Sequence, residues 1–254
     1  MRNAFVRKAI GYAAAIAFIL AGWELTARAV GNPVLPGPFE AFPMMAVYFD
    51  DLWPAFLTSL YRVVAGMFIG AALAIPCGLV CGRSARVDAV FAPVLYFLYP
   101  LPKVVLLPVL VVLMGLADAP KIALIALTVF FQVLVTVRGA VQNVPEQSVV
   151  SMRSLGGNAF DVYRHVIVPA SLPDLFTALR ISSGTAVALL FFAESLAGST
   201  GLGYFIVDSW ALLAYPKMFA GIIAMALLGV VLYELFDAAE RAMTRWRRRG
   251  VSTR

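Results

Sequence analysis

The feature that most constrains this chain is a series of long apolar stretches, each about as long as a membrane-spanning helix. A helix needs about 20 apolar residues to cross a bilayer. Six such spans can be drawn, at residues 9–30, 60–82, 89–116, 121–139, 181–197 and 218–235. Charged residues make up 13% of the 254 residues, too few to cover a soluble fold of this size. We therefore predict an all-α integral membrane protein with about six transmembrane helices.

The distribution of Lys and Arg predicts how these spans are oriented. If the N-terminus is cytoplasmic, the inner segments hold fifteen of the 20 basic residues: Arg2, Arg7, Lys8, Arg83, Arg86, Arg138, Arg153, Arg164, Arg180, Arg241, Arg245, Arg247, Arg248, Arg249 and Arg254. The outer connections hold four: Arg28, Arg62, Lys121 and Lys217. Because cytoplasmic loops are enriched in basic residues, we expect both termini in the cytoplasm. The terminal clusters lie beside apolar runs and offer no aromatic platform for bases, so they indicate contact with membrane lipid and not with nucleic acid.

Residues that would indicate a metal centre or a catalytic site are scarce. Cys77 and Cys81 share a helix face without His or acidic neighbours, so we expect them to pack between helices. His165 is the only histidine and is expected at the surface of a cytoplasmic loop. No Ser–His–acid set and no carboxylate pair with catalytic spacing is found. We predict a protein that is not an enzyme and binds no metal.

The longest inner connection, residues 140–180, is polar and predicts a docking element. Its first half favours a short helix that is interrupted at Gly156 and Gly157, where glycines permit a turn. Asn158 can cap a second short helix. Apolar side chains that protrude from such a helix–turn–helix at the membrane surface predict contact with another protein.

Two segments flank the fifth span. Pro169 and Pro173 are expected to break the chain before it. The sequence GSTGLG at 198–203 predicts a flexible turn after it, at the outer mouth of a path through the membrane. This segment lacks the Lys and Ser/Thr that follow the glycines of a nucleotide-binding Walker A loop.

The inner connection resembles the EAA motif of ABC importer permeases, E-A-A-x3-G-x9-I-x-L-P. Gly156 falls on the motif glycine and Pro169 on its proline, with Val166 and Val168 in place of Ile and Leu. The opening triplet departs from the motif, because residues 150–152 read VSM.

Four further segments are similar to the nitrate/sulfonate/taurine-type branch of these permeases. They read TSLYRVVAG at 58–66, YPLPKVVLLP at 99–108, LRISSG at 179–184, and AESLA at 193–197 followed by GLG at 201–203. They stand in the order found in that branch and extend the resemblance over most of the chain from about Leu35 onward.

The resemblance implies a single permease domain over residues 1–254, with its core at about 55–240, in the bacterial inner membrane. A coupling helix between the fourth and fifth spans would fit a groove on a separate ATPase subunit, which binds the ATP, so the chain needs no cofactor. A second permease copy, forming a homodimer, and a periplasmic substrate-binding protein would complete the importer. The residues implied in ATPase coupling are Ser151, Met152, Arg153, Ser154, Leu155, Gly156, Gly157, Asn158, Phe160, Tyr163 and Pro169.

A translocation path is predicted around the third and fifth spans. Lys103 lies between prolines that should break the third span, and intramembrane charges and broken helices often line substrate paths. The predicted path residues are Pro100, Pro102, Lys103, Phe191 and Glu194. We expect Lys103 and Glu194 to form an ion pair, either on the path or as a structural contact. A cationic residue there mildly favours a small anion, and the branch handles nitrate, sulfonates and taurine.

The main alternative is a secondary transporter or channel that works without ATP. It would use proton- or sodium-coupling carboxylates within the spans, and Glu194 is the one convincing candidate. It would also have no need of the polar cytoplasmic loop.

Overall fold

The computed structural model describes residues 2–244, without the side chains of residues 2–10, 12 and 13. The basic residues that we assigned to the two ends, Arg2, Arg7, Lys8 and those from Arg245 onward, lie outside the described side chains. The helices are α1 (Arg2–Val30), α2 (Pro38–Val47), α3 (Phe49–Arg83), α4 (Ala85–Leu98), α5 (Leu107–Met114), α6 (Ala119–Gln142), α7 (Glu146–Ser154), α8 (Ala159–Val162), α9 (Val168–Ala197), α10 (Leu202–Ala211) and α11 (Tyr215–Met243). A 3-10 turn, Lys103–Leu106, precedes α5, and a π-helical turn, Tyr163–Ile167, joins α8 to α9. The predicted all-α fold is confirmed.

The described residues contain four helices long and apolar enough to cross a membrane, or five if a bent pair is one span. The four are Phe49–Arg83, Ala119–Gln142, Ala159–Ala197 and Tyr215–Met243, and the bent pair is α4 with the segment Lys103–Met114. The sequence predicted six spans. The additional one, residues 9–30, falls in α1, part of which lies outside the described side chains.

The predicted break in the third span is present. Helix α4 ends at Leu98, and the chain bends by 85° before the segment that begins at Lys103. Pro100 and Pro102 explain the bend, because proline lacks an N–H and its ring clashes with the preceding turn. Pro108 does not contribute to it, since it lies in the first turn of α5, where a missing N–H has no helical partner.

The expectation that Pro169 and Pro173 break the chain before the fifth span was wrong. Both lie in α9, which continues the helical segment from Ala159 to Ala197. Pro169 is tolerated because it lies just after a π-helical turn, where the regular pattern of helical hydrogen bonds is already interrupted. The preceding π-helical turn has a wider hydrogen-bonding pattern, and the hydroxyl of Ser171 donates to the carbonyls of Ile167 and Val168. The inner connection is therefore shorter than the sequence suggested.

The core is built on close packing of α3 against α6. A stripe of small residues runs along α3 at every fourth position: Gly66, Gly70, Ala74, Gly78 and Gly82, with Cys81 beside the last of them. A Cβ atom added to Gly70 would lie 2.5 Å from the carbonyl oxygen of Ala126, and one added to Gly78 would lie 2.9 Å from Val137. Helix backbones approach this closely in membranes only where side chains are small. The buried position of Cys81 agrees with the predicted packing role.

Replacing Gly70 with Ala should destabilise the protein, because the added methyl group meets the backbone of α6, which cannot move without shifting the helix. Overpacking of this kind costs about 1–3 kcal/mol. Unfolding of the detergent-solubilised protein should shift to lower temperature. Gly139→Ala in α6 is the matched control, since nothing lies within 4 Å of its added Cβ. Equal stability of the two variants would contradict the packing described here.

Candidate coupling element and translocation path

The predicted helix–turn–helix of the inner connection is present and tightly capped. The chain turns at Gly156, whose φ of +85° is a conformation that glycine adopts without strain. The side-chain oxygen of Asn158 accepts hydrogen bonds from the backbone N–H groups of Phe160 (2.8 Å) and Asp161 (3.1 Å). The Asp161 carboxylate accepts in turn from the backbone N–H of Asn158, at 3.0 Å. This reciprocal capping box fixes the start of α8, and it is the cap that the sequence predicted at Asn158.

The inner connection exposes apolar side chains on a well-anchored base. Val149 and Val162 are buried in the main core. By contrast, Leu155 is 84% exposed and Phe160 is 67% exposed. Fixed, exposed apolar side chains beside polar residues are typical of a docking surface.

The other predicted coupling residues divide between this surface and its support. Met152 and Tyr163 are partly buried and pack against the core, and Pro169 is half-buried in α9. The exposed residues are Ser151, Arg153, Ser154, Gly156 and Asn158, while Gly157 is partly buried against Met152. His165 is exposed, as expected.

Lys103 lies at the broken span and caps the end of α4. Its Nζ donates to the carbonyl oxygens of Leu98, at 3.2 Å, and Tyr99. It also lies 5.2 Å from the centres of the Tyr99 and Phe131 rings. The last carbonyls of a helix have no helical partner and carry partial negative charge, so the ammonium satisfies groups that the two prolines leave open.

Glu194 does not pair with Lys103, so that prediction was wrong. Its fully buried carboxylate accepts from Arg62 Nη1 (2.7 Å), Ser59 Oγ (2.8 Å) and the backbone N–H of Gly203 (2.9 Å). The physical reason is that Lys103 reaches carbonyls exposed by the helix break, whereas Arg62 has a rigid fork of donors beside Glu194.

Arg62 does not lie where the sequence analysis placed it. We assigned it to an outer connection, but α3 begins at Phe49, so Arg62 lies in the fourth turn of that helix and is buried. Its guanidinium also contacts the Asp118 carboxylate (2.6 Å) and the carbonyl oxygen of Thr200 (2.8 Å). A signal was present, because Arg62 and Glu194 are opposite charges within apolar surroundings and such charges usually pair.

The segment at 198–203 is anchored by these contacts and is not the flexible turn that we expected. Gly201 has a φ of +100°, and a Cβ atom there would overlap the Glu194 carboxylate.

We name Ser59, Arg62, Asp118, Glu194 and Thr200 the outer polar cluster. It ties α3, the start of α6 and the end of α9 together at the end of the molecule opposite the inner connection.

The remaining path residues lie in two places. Pro100 and Pro102 are exposed beside Lys103 at the break. Phe191 packs edge-on against Phe192, with ring centres 5.7 Å apart, and lines an apolar cavity of about 650 Å³ between α9 and α11. Pro100, Pro102 and Lys103 therefore lie together at the break. Phe191 and Glu194 lie together on α9, apart from those three residues.

The family model for "binding-protein-dependent transport system inner membrane component" matches residues 74–245 of the chain. The chain belongs to this family. It is therefore a permease, the membrane-spanning subunit of an ABC importer, and a transport protein rather than an enzyme. The family implies residence in the inner membrane, an ATPase subunit and a substrate-binding protein.

Individual relatives cover most of the permease. A probable ABC transporter permease of Brucella abortus is 31% identical over 91% of this chain and 93% of its own length. The taurine transport permease TauC of Escherichia coli is 31% identical over 77% of this chain and 71% of its own. A putative aliphatic sulfonates transport permease, SsuC of Bacillus subtilis, is 30% identical over 91% and 85%.

A solved structure agrees on the fold. A chain of the MetNI methionine ABC transporter in an inward-facing conformation superposes with a TM-score of 0.62, at 20% identity, over 80% of this chain and 98% of that chain.

Removing either partner of the buried Arg62–Glu194 pair should strongly destabilise the permease. Arg62→Ala leaves the fully buried Glu194 carboxylate without its counterion, which costs about 3–5 kcal/mol, and Glu194→Ala leaves the buried Arg62 with the half-exposed Asp118 as its remaining counterion. The double variant Arg62→Met/Glu194→Leu should be destabilised by less than the sum of the two single changes, because no buried charge is left unpaired. Unfolding titrations with SDS in mixed micelles measure the difference.

Lys217→Ala is the control for this comparison. Lys217 pairs with Asp51 at 3.1 Å, but the Asp51 side chain is exposed, and an exposed pair contributes about 1 kcal/mol or less. If Lys217→Ala destabilised the permease as much as Glu194→Ala, the buried pair of the outer polar cluster would contribute no more to stability than an exposed pair.

Proposed function

We propose that two copies of this permease enclose a path for a small oxyanion, such as a sulfonate, taurine or nitrate, and that each copy binds an ATPase subunit through its inner connection. The observation on which this rests is the capped helix–turn–helix at Glu146–Val162, which holds Leu155 and Phe160 exposed on a buried base.

The docking role is supported by how this element is joined to the helices that cross the membrane, since Val149 of α7 and Val162 of α8 are buried in the main core. Arg83, at the end of α3, forms a bidentate pair with Glu146 at the start of α7, at 3.1 and 3.2 Å. Arg138, near the end of α6, binds the Asp88 carboxylate of α4. A partner that moves Leu155 and Phe160 would therefore move several spans together. The match to the EAA pattern at Gly156 and Pro169 supports the same role.

The proposed orientation places the inner connection and both termini in the cytoplasm. Arg83, Arg138 and Arg153 lie towards the end of the molecule that carries α7 and α8, and the outer polar cluster lies at the other end. This arrangement agrees with the enrichment of basic residues in cytoplasmic segments. The whole chain then acts as one permease domain, with its core at about residues 55–240.

A second copy is supported by the exposed backbone of the broken span. The residues from Tyr99 to Pro102 are non-helical and exposed in this single chain. Non-helical backbone at membrane depth is tolerated where it is covered by protein or lines a water-filled cavity, and not against lipid. A homodimer around a central path would provide both environments for this segment.

The substrate class rests on two observations. Two relatives with 30% and 31% identity are named for aliphatic sulfonates and taurine. The cationic Lys103 lies at the break, where its ammonium would attract an anion on the path. We propose Lys103, Pro100 and Pro102 as path residues, with Phe191 as an apolar neighbour and Glu194 as the buried anchor of the outer mouth.

Phe160→Ser should reduce association with the ATPase subunit and slow ATP-driven uptake by roughly tenfold or more, because a buried aromatic side chain at an interface is typically worth 2 kcal/mol or more. Folding should be unaffected, since Phe160 packs little within this chain. Co-purification with the ATPase and uptake into proteoliposomes measure the two effects.

The matched control is Leu212→Ser, because Leu212 is 69% exposed but lies at the outer end of the molecule. Its ATPase association should equal that of the parent. Unchanged association and uptake in Phe160→Ser would contradict the docking role of this surface.

The substrate class is tested by uptake of radiolabelled taurine into proteoliposomes that hold the permease, its ATPase and its binding protein. Unlabelled ethanesulfonate or nitrate should compete with taurine for uptake. Alanine should not compete, because it is of similar size but has no oxyanion other than its carboxylate. Uptake that requires ATP but is blocked only by alanine would overturn the proposed class.

A further inference from the structure

A second polar group lies deep in the helix bundle, apart from the outer polar cluster. Gln132 lies near the middle of α6 and Thr185 near the middle of α9, and the amide Nε2 of Gln132 donates to the hydroxyl of Thr185 at 3.3 Å. Ser182 precedes Thr185 by three positions and so shares its face of α9. We name Gln132, Ser182 and Thr185 the central polar seam.

The seam has polar atoms whose hydrogen-bonding capacity is unused. Among the described residues, Gln132 Oε1 and Ser182 Oγ are buried and make no hydrogen bond. An unpartnered polar atom in a low-dielectric interior costs free energy, and native proteins keep few of them. The third buried atom of this kind, Glu240 Oε2, differs because it lies 3.2 Å from a guanidinium nitrogen of Arg180. The seam therefore contains buried hydrogen-bonding atoms that have no partner within the described residues.

The seam lies beside the broken span. The 3-10 turn Lys103–Leu106 packs against both α6 and α9. Lys103 itself lies 5.2 Å from the ring centre of Phe131, the residue next to Gln132. The exposed non-helical backbone of this break is the segment that must face protein or a water-filled cavity. Gln132 and Thr185 are each partly exposed, so a solute can reach them, whereas Ser182 is buried.

The chemistry of the seam favours a ligand with an oxyanion. Thr185 accepts from Gln132, so its own O–H is free to donate, and the O–H of Ser182 has no acceptor among the described residues. Two of the three Nζ–H donors of Lys103 go to carbonyls, which leaves one. The nearest carboxylate along α9, Glu194, lies nine residues beyond Thr185, roughly 13 Å along the helix axis, and is bound by Arg62.

We propose that the central polar seam is a mid-membrane contact site for the translocated solute, with Thr185 and Ser182 donating to its oxyanion and Gln132 orienting Thr185. This rests on the proposed function, since it assigns residues to the path of that same importer. The central polar seam would then select among solutes within the membrane, after the binding protein has made a first selection.

Cysteine labelling tests whether the seam can be reached by a small anion. Thr185→Cys is introduced into the parent chain, whose native Cys77 and Cys81 give the background, in the reconstituted permease–ATPase complex. The probes are the anionic reagent 2-sulfonatoethyl methanethiosulfonate and its cationic trimethylammonium counterpart. The anionic reagent should label Thr185→Cys roughly tenfold faster than the cationic one, and millimolar ethanesulfonate should slow the reaction.

Ala186→Cys is the matched control for labelling. Ala186 follows Thr185 directly on α9 but is fully buried in the main core. It should react no faster than the background. Equal labelling of both positions, or no labelling of Thr185→Cys above background, would overturn the proposal.

Transport kinetics separate a solute contact from simple helix packing. Thr185→Val keeps the shape but removes the donor, and should raise the KM for the solute roughly three- to tenfold, as expected for one lost hydrogen bond, while Thr185→Ser should restore it. A purely structural role predicts less folded complex with an unchanged KM. If the parent complex shows no ATP-dependent uptake, the proposed function fails. If the parent transports while Thr185→Val keeps its KM and Thr185→Cys stays unlabelled, only the inference about the seam fails.

Discussion

The structure depends on one constraint, which is that a polar group taken into the bilayer must find its partner within the protein. A helix satisfies its own backbone, so the spans of the described residues are helical except at the break in the third. Where two prolines interrupt the third span, the carbonyls they release are bound by Lys103. Where Arg62 and Glu194 enter the apolar interior, they bind each other together with Ser59, Asp118 and Thr200. The same rule makes the unpartnered atoms of the central polar seam informative, because they are the exceptions.

The parts of the fold that follow from local chemistry could be predicted from the sequence. Apolar length predicted the four or five spans of the described residues, though it predicted six in all. Prolines predicted the break in the third span, and Gly156 with Asn158 predicted the turn and cap of the inner connection. What failed was the pairing of distant residues. Lys103 and Glu194 have opposite charges in neighbouring spans, but charge alone does not encode the register in which α3, α6 and α9 pack. That register brings Arg62 to Glu194, and between α3 and α6 it depends on the small-residue stripe of α3.

The second kind of failure concerned helix ends. Proline was read as a stop signal at both Pro169 and Pro173, yet the helix continues through them. Pro169 lies just after the π-helical turn, which changes which carbonyls need partners, and Pro173 lies inside α9. The sequence contains no simple marker of a π-helical turn, so the length of this helix could not be predicted from Pro169 and Pro173 alone.

That continuous helix connects the two ends of the permease mechanically. It begins at Ala159, directly after the Asn158 cap on the proposed docking surface, and ends at Ala197, three residues beyond Glu194 in the outer polar cluster. Thr185 and Ser182 lie between these ends. A close-packed helix moves as a rigid element, and packed interfaces shift between discrete arrangements rather than deform continuously. Movement imposed at Phe160 would therefore reach the central polar seam and the Glu194 anchor through one helix. The π-helical turn at Tyr163–Ile167 is a point along it where a change of hydrogen-bonding pattern could absorb or redirect that movement.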